Sequence, residues 1–324
     1  MGDSIMATTV LDPLIANFGS DAMIDYAAGP GAGSMLLQMD QRINRVYPLS
    51  RGQLPWWLNP AKRSLRETSG QAPYDLVINL ETSRKYDDFS RFVTYREFCG
   101  RPFSPPSDAP GLHAVELEKT VYRERLGQSS TLEARPRLLL GLESTQQEKN
   151  LVMLNPGFHG LDGVGYRTYR GWPMAQWCEL ATMLQQDGFS VLVNGTSREQ
   201  RILQPLLDID GVRSIIGCPI EQLARRLQQV SCLVTVDTGT MHLAAALGTP
   251  VLAMFGPTNP GRTGPYTRDP ASSVLVSGIS CQPCAGTPAL KSCPVNRCML
   301  QLTPRFVLDR LHRIQDSSKL SDRS

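Results

Sequence analysis

Short apolar runs of strand length alternate with helical stretches along most of this chain. In the first half, residues 23–28 (MIDYAA), 46–49 and 74–80 (YDLVINL) are runs bounded by Gly and Pro. A helical stretch at 33–38 lies between the first two, and 91–95 (RFVTY) is a further strand candidate. The segment FCGRPFSPPSDAPG, 98–111, is dense in Pro and Ser and reads as loop or linker. A polar helix at 117–126 and a charged stretch at 143–150 follow.

From residue 150 the alternation is more regular. Strands are expected at 151–154, 190–193, 213–216, 232–236 and 251–255. Helices are expected at 173–186, with Pro at its start, and at 198–207, 220–230 and 241–247. Strand alternating with helix at this spacing predicts right-handed βαβ units and parallel sheets. The expected architecture is α/β, with two Rossmann-like domains whose sheets face a cleft. The first domain covers 1–148, including a Pro-rich linker region at 99–148, and the second covers 149–324.

The length of 324 residues agrees with about two domains. Apolar residues make up 41% and charged residues 19%, which excludes collagen-like and disordered chains. No run of about 18 apolar residues occurs, so no membrane-spanning helix is expected. The N-terminus, Met-Gly-Asp-Ser, carries no basic-then-apolar signal, and a cytoplasmic location is expected. A net charge of +3 and 7% aromatics argue against nucleic acid as a partner. That charge is compatible with an anionic small molecule or glycolipid.

The strongest local signal is CLVTVDTGTMHLAAALGTPVLAMFGPTNPGRTGPY, residues 232–266. An apolar strand ends at Val236, and Asp237-Thr238-Gly239 turns directly into a helix of small residues. This is the carboxyl edge of a parallel sheet, where open α/β folds bind ligands. Unpaired N–H groups at a helix start suit a phosphate, Gly239 permits close approach, and Asp237 can accept sugar hydroxyls. His242 lies one turn further along. The alternative is that Asp237 or Thr238 only caps the helix and that His242 is a half-buried structural residue. A second strand ending in Gly256-Pro257-Thr258 favours the binding reading.

Residues 232–266 resemble the signature of the heptosyltransferases of lipopolysaccharide core assembly, glycosyltransferase family 9. That family shows D-T-G-x-x-H-L-A-A-A-L-G-x-P followed by F-G-P-T-x-P and G-P-Y. LNPG (154–157) with YRGWP (169–173) resembles its strand-loop-helix, and VNGTSREQ (193–200) resembles its G-x-x-x-E loop. GDSIMATTVL (2–11), GPGAGSML (29–36) and YDLVINL resemble first-domain segments. The likeness covers nearly the whole chain and is weakest over 81–148.

The resemblance implies the GT-B fold and an inverting transfer that requires no metal. It further implies an ADP-heptose donor and a Kdo- or heptose-bearing lipid A acceptor. The alternatives are a relative with another sugar or acceptor, or a catalytically degenerate binding subunit. By the resemblance, donor contacts fall to Asn155, Gly157, Arg170, Thr196, Glu199, Asp237, Thr238, Gly239 and His242. Arg170 stands where the family has a phosphate-contacting Lys, and Glu199 matches the acid that holds the ribose. Asp3 matches the proposed general base of the family's G-D motif. In the family that motif follows a first apolar strand, which is missing here, so either the sequence is truncated at an internal Met, which is the expectation, or the first domain tolerates the missing strand.

Four cysteines, Cys281-x2-Cys284-x8-Cys293-x4-Cys298, stand at metal-ligand spacing. They read either as a structural Zn or Fe site or as four unliganded thiols, without a catalytic role. Cys99, Cys178, Cys218 and Cys232 are scattered beside apolar elements and read as structural. Gly29-x-Gly31-x-Gly33 mimics a dinucleotide fingerprint at the wrong spacing and reads as a tight turn. Asn194-Gly195-Thr196 is a glycosylation sequon by letters only, and reads as a turn. Arg51, Lys62, Arg63 and Arg66 form a basic stretch. It is either a solvated helix face or, through Arg63 and Arg66, a contact for anionic groups of a lipid A acceptor. Trp56 and Trp57 beside it either pack in a core or touch the inner membrane surface.

Overall fold

A computed structural model describes residues 1–49, 56–81, 92–100, 111–142, 147–157, 169–267 and 272–321. The chain forms two compact units that part between Gly141 and Leu142. Arg51 and most of the Pro-rich segment lie outside the described residues.

The first unit opens on helix α1 (Gly2–Met6), continues through a 3-10 turn (Ala7–Val10) and ends in α2 (Leu11–Phe18). Strand β1 (Asp25–Ala28), helix α3 (Ala32–Gln38) and strand β2 (Arg45–Pro48) follow. Helix α4 (Pro60–Gln71) leads into β3 (Tyr74–Asn79), and β4 (Tyr95–Gly100) precedes α5 (Ala114–Leu126) and α6 (Gln128–Glu133). The strands form two parallel pairs, β1 with β2 and β3 with β4. Among the described residues these are two separate two-stranded sheets. A bond from the Tyr74 hydroxyl to Asp25 Oδ2 (2.6 Å) spans the division.

One expected strand is displaced. Strand β4 begins at Tyr95, where residues 91–95 were expected to carry it, and takes Phe98 and Cys99 out of the expected linker. Its middle residues, Arg96 and Glu97, are exposed, so no apolar run marks it. Its position is set by pairing with β3, Tyr74 opposite Tyr95.

Two glycines of that fingerprint-like run, Gly31 and Gly33, have separate local reasons. Gly31 precedes α3 at φ 122°, a conformation that side chains disfavour. A Cβ on Gly33 would lie 2.8 Å from Ser4 Oγ and 3.3 Å from Met1 Cα. Helix α3 thus packs directly against the start of α1 and fixes the turn that carries Asp3. Below it, Arg42 binds Asp40 and Asp12, both at 2.7 Å, and the carbonyl of Arg137 at 2.6 Å. Asp40 is fully buried, and Arg42 supplies its countercharge.

In the second unit, strands β5 (Glu148–Asn155), β6 (Ser190–Val193), β7 (Arg213–Ser214), β8 (Val230–Val236), β9 (Val251–Met254) and β10 (Ser273–Leu275) form one sheet. All its pairs are parallel, in the order β10-β9-β8-β5-β6-β7. Helices α7 (Met174–Gln186), α8 (Gln200–Leu207), α9 (Ile220–Gln229) and α10 (Gly239–Leu247) connect the strands, and α11 (Pro304–Ser321) closes the unit. Residues 152–154 and 232–236 are buried on both faces, as parallel strands covered by helices require. Val152, Leu154, Val234 and Val236 pack with Trp177, Leu180 and Leu308 in one apolar core. Among the described residues no helix is long and apolar enough to cross a membrane.

Candidate functional site

The carboxyl ends of β5, β8 and β9, neighbours in the sheet, collect the polar groups of the second unit. Asp237 directly follows β8 and is 7% exposed. Its carboxylate Oδ2 lies 3.7 Å from the guanidinium of Arg170, which is partly exposed. Burial pushes the Asp237 carboxyl above its ordinary range, while Arg170 and the Thr258 hydroxyl oppose that rise. The Thr258 hydroxyl is buried and short of full hydrogen-bond geometry to any described residue. A buried acid, a facing cation and a buried hydroxyl thus meet at one sheet edge.

Helix α10 starts here. Thr238 is its N-cap, its hydroxyl accepting from Met241 N–H at 3.4 Å, so the capping role is present. Gly239 is the first helical residue, and its end of α10 faces the strand edge with the remaining N–H groups. His242 lies one turn on and is 7% exposed.

Asn155 ends β5 and is engaged on both sides. Its Nδ2 donates to Gly157 O and to Thr235 Oγ1, both 3.1 Å, and its Oδ1 accepts from Asn194 at 2.6 Å. Its side chain therefore braces the turn. Thr235 Oγ1 in turn meets Thr238 Oγ1 at 3.3 Å, which ties the β5 turn to the α10 cap.

A second cluster forms at the next strand end. Thr196 donates from both its N–H (2.7 Å) and its hydroxyl (2.8 Å) to Glu199 Oε2. The other oxygen, Oε1, lies over Gly157, where a Cβ would stand 2.5 Å from it. Gly157 is thus the residue that lets the carboxylate approach the β5 turn. A carboxylate held by two donors, with one oxygen remaining, can accept from vicinal hydroxyls.

The other expected residues lie in the first unit. Asp3 is exposed in the first turn of α1. Arg63 and Arg66 are exposed and three residues apart on α4, so they share a face. Trp57 and Leu58 just before α4 are 56% and 59% exposed.

The four cysteines stand here as free thiols. Among the described residues no group of three or more His, Cys, Asp or Glu side chains could hold a metal. All four thiols are free, with Cys284 and Cys298 buried and Cys281 exposed. The Cys293 thiol is turned to the Val295 carbonyl (2.7 Å) and the Cys298 thiol to Asn296 Oδ1 (3.1 Å).

Sequence reasoning missed Thr258 as a partner of Asp237, although the strand-end G-P-T was visible. It also missed Asn194 and Thr235, whose signal was only their place at strand ends.

The chain matches the family model for glycosyltransferase family 9 (heptosyltransferase) over residues 106–293. It is 33% identical over 248 residues to lipopolysaccharide heptosyltransferase 1 of Escherichia coli K12, covering 70% of this chain and 76% of that one. It is 28% identical over 243 residues to lipopolysaccharide heptosyltransferase 1 of Pseudomonas aeruginosa, covering 68% of this chain. The chain spans 65% of that relative's length. The solved structure of E. coli heptosyltransferase WaaC with ADP superposes with a TM-score of 0.70 at 20% identity, over 97% of this chain and 96% of that one. At that identity the likeness concerns the fold.

Proposed function

The chain belongs to glycosyltransferase family 9 and has its GT-B fold, and from that premise we propose that it transfers heptose from ADP-heptose to the inner core of lipopolysaccharide. The observation that carries this reading is the meeting of Asp237, Arg170 and Thr258 at the strand edge where α10 begins. A diphosphate needs cationic and N–H partners, and Arg170 and the first turn of α10 supply them. A sugar needs hydroxyl acceptors, and Asp237 supplies one. Glu199 receives the ribose hydroxyls beside Gly157, with Thr196 holding it in place.

The reading assigns the chemistry as follows. The acceptor hydroxyl attacks the anomeric carbon on the face opposite the diphosphate. The bond from that carbon to the diphosphate oxygen breaks, the configuration inverts, and ADP departs. The Asp3 carboxylate takes the hydroxyl proton. Arg170 and the α10 N–H groups stabilise the charge that collects on the leaving diphosphate. No step passes through the cysteine loop.

Arg63 and Arg66 are assigned to anionic groups of the acceptor, Kdo carboxylates or lipid A phosphates. Exposed Trp57 and Leu58 beside them suit the interface of a bilayer, which supports a peripheral location at the cytoplasmic face of the inner membrane. The test is incubation with ADP-heptose and a panel of truncated core acceptors, read by mass. The expected result is addition of one heptosyl unit to one acceptor, abolished in Asp3→Ala. Donor binding without transfer to any acceptor would favour a binding subunit. Transfer undiminished in Asp3→Ala would remove Asp3 as base.

A further inference from the structure

We propose that the four-cysteine loop is a positioning element of the donor site, holding Arg170 toward Asp237 through Asn296. The inference rests on the donor-site reading above.

The loop grips both segments that bring groups to Asp237. The first is the segment that carries Arg170. Asn296 Nδ2 donates to the carbonyls of Tyr169 (2.8 Å) and Gly171 (2.9 Å), the residues on either side of Arg170. The Tyr169 hydroxyl donates to the Cys293 carbonyl at 2.9 Å. Trp172 Nε1 donates to the Leu302 carbonyl at 2.7 Å. An arginine side chain has several rotatable bonds, so its reach is defined only as well as its backbone is fixed. Here one side chain brackets that backbone on both sides.

The second segment is the turn after β9, which carries Thr258. Gln282 Nε2 donates to the carbonyls of Phe255 (2.6 Å) and Gly256 (2.8 Å). The N–H groups of Cys284 and Ala285 both donate to the Pro257 carbonyl, at 2.9 and 2.8 Å. The two segments also touch: a Cβ on Gly256 would stand 2.8 Å from the Tyr169 carbonyl.

A cysteine takes part directly. The buried Cys298 thiol points its hydrogen at Asn296 Oδ1, 3.1 Å away. That contact turns the amide so that its N–H groups face the two carbonyls. The loop therefore serves the site by its hydrogen bonds, at a distance from the chemistry, and Asn296 is its central positioning residue.

The test is a double-mutant cycle on the full chain, with ADP titrated by calorimetry into wild type, Asn296→Ala, Arg170→Ala and the double variant. Asn296→Ala is expected to weaken ADP binding about tenfold, and Arg170→Ala at least as much. In the Arg170→Ala background, Asn296→Ala is expected to add no further loss. Wild-type affinity in Asn296→Ala, or an equal loss in both backgrounds, would overturn the inference, since a merely structural role adds. Wild-type affinity in Arg170→Ala would instead remove Arg170 from the donor-site reading, and this inference with it. Should Asn296→Ala not fold, Tyr169→Phe removes only the hydroxyl bond to Cys293. It is expected to weaken ADP roughly threefold in wild type and not at all in Arg170→Ala; no loss, or equal loss in both, overturns the inference.

Discussion

Arg170, just ahead of α7, and Asp237, at the end of β8, face each other at 3.7 Å, the cation partly exposed and the acid buried. The distance is longer than a tight ion pair, and the arginine keeps donors for another anion. Replacing Arg170 by Lys retains the charge but not the fork. Arg170→Lys should weaken ADP binding a few-fold, and Arg170→Ala by about tenfold or more. Calorimetric titration with ADP measures both, and an affinity order with Ala tighter than Lys would contradict a phosphate contact.

The buried acid also predicts a trade of stability against binding. Its carboxyl is raised by burial, so holding it charged at neutral pH costs folding free energy. Asp237→Asn should raise the melting temperature at pH 7 by roughly 2–4 °C while weakening donor binding. The sign follows from the direction of the shift. As pH falls through the raised folded pKa toward 3.8, the ordinary value, the native acid becomes neutral and the advantage of Asn disappears. Thermal melts of both proteins from pH 7 to pH 3.5 check this; an Asn advantage that grows on acidification would contradict it.

Glu199 stands where Gly157 leaves space. Gly157→Ala would press a methyl group against the carboxylate, with Cβ 2.6 Å from Oε2. It should cost about 1–3 kcal/mol in stability or displace Glu199 and weaken ADP binding. Chemical denaturation together with ADP titration detects either result. A variant unchanged in both would contradict the close packing of this pair.

Arg42 makes a structural prediction for the first unit. Arg42→Ala leaves Asp40 buried without its cation and should destabilise the protein by about 3–5 kcal/mol. Arg42→Ala combined with Asp40→Ala should recover part of that loss. Urea unfolding measures both, and no recovery in the double variant would argue that packing, not the ion pair, dominates.

Much of this was legible in the chain. The central strands β8 and β9 are apolar because both faces are covered, so Val234 and Leu252 announced them. Asp237-Thr238-Gly239 announced the site because a strand, a turn and a small-residue helix follow without interruption. Strand β4 was misplaced because Arg96 and Glu97 sit in its middle, and only pairing with β3 marks it. That the first-unit strands pair as β1 with β2 and β3 with β4 was not readable, since alternation along the sequence does not report which strand edges meet. The cysteine loop left a metal site and four free thiols both open, because spacing was visible and thiol direction was not. Asn296 was unreadable, since its partners are backbone carbonyls 127 and 125 residues away. Contacts from a side chain to a distant main chain leave no residue pattern to detect.

The central claim is that the strand edge at Asp237 holds a nucleotide-sugar donor. The most direct measurement is calorimetric titration of ADP-heptose into the full chain and into Asp237→Ala. The account predicts saturable binding by the wild type, with a Kd on the order of micromolar to tens of micromolar, and affinity about tenfold weaker or more in the variant. Equal affinity in the two proteins would contradict it.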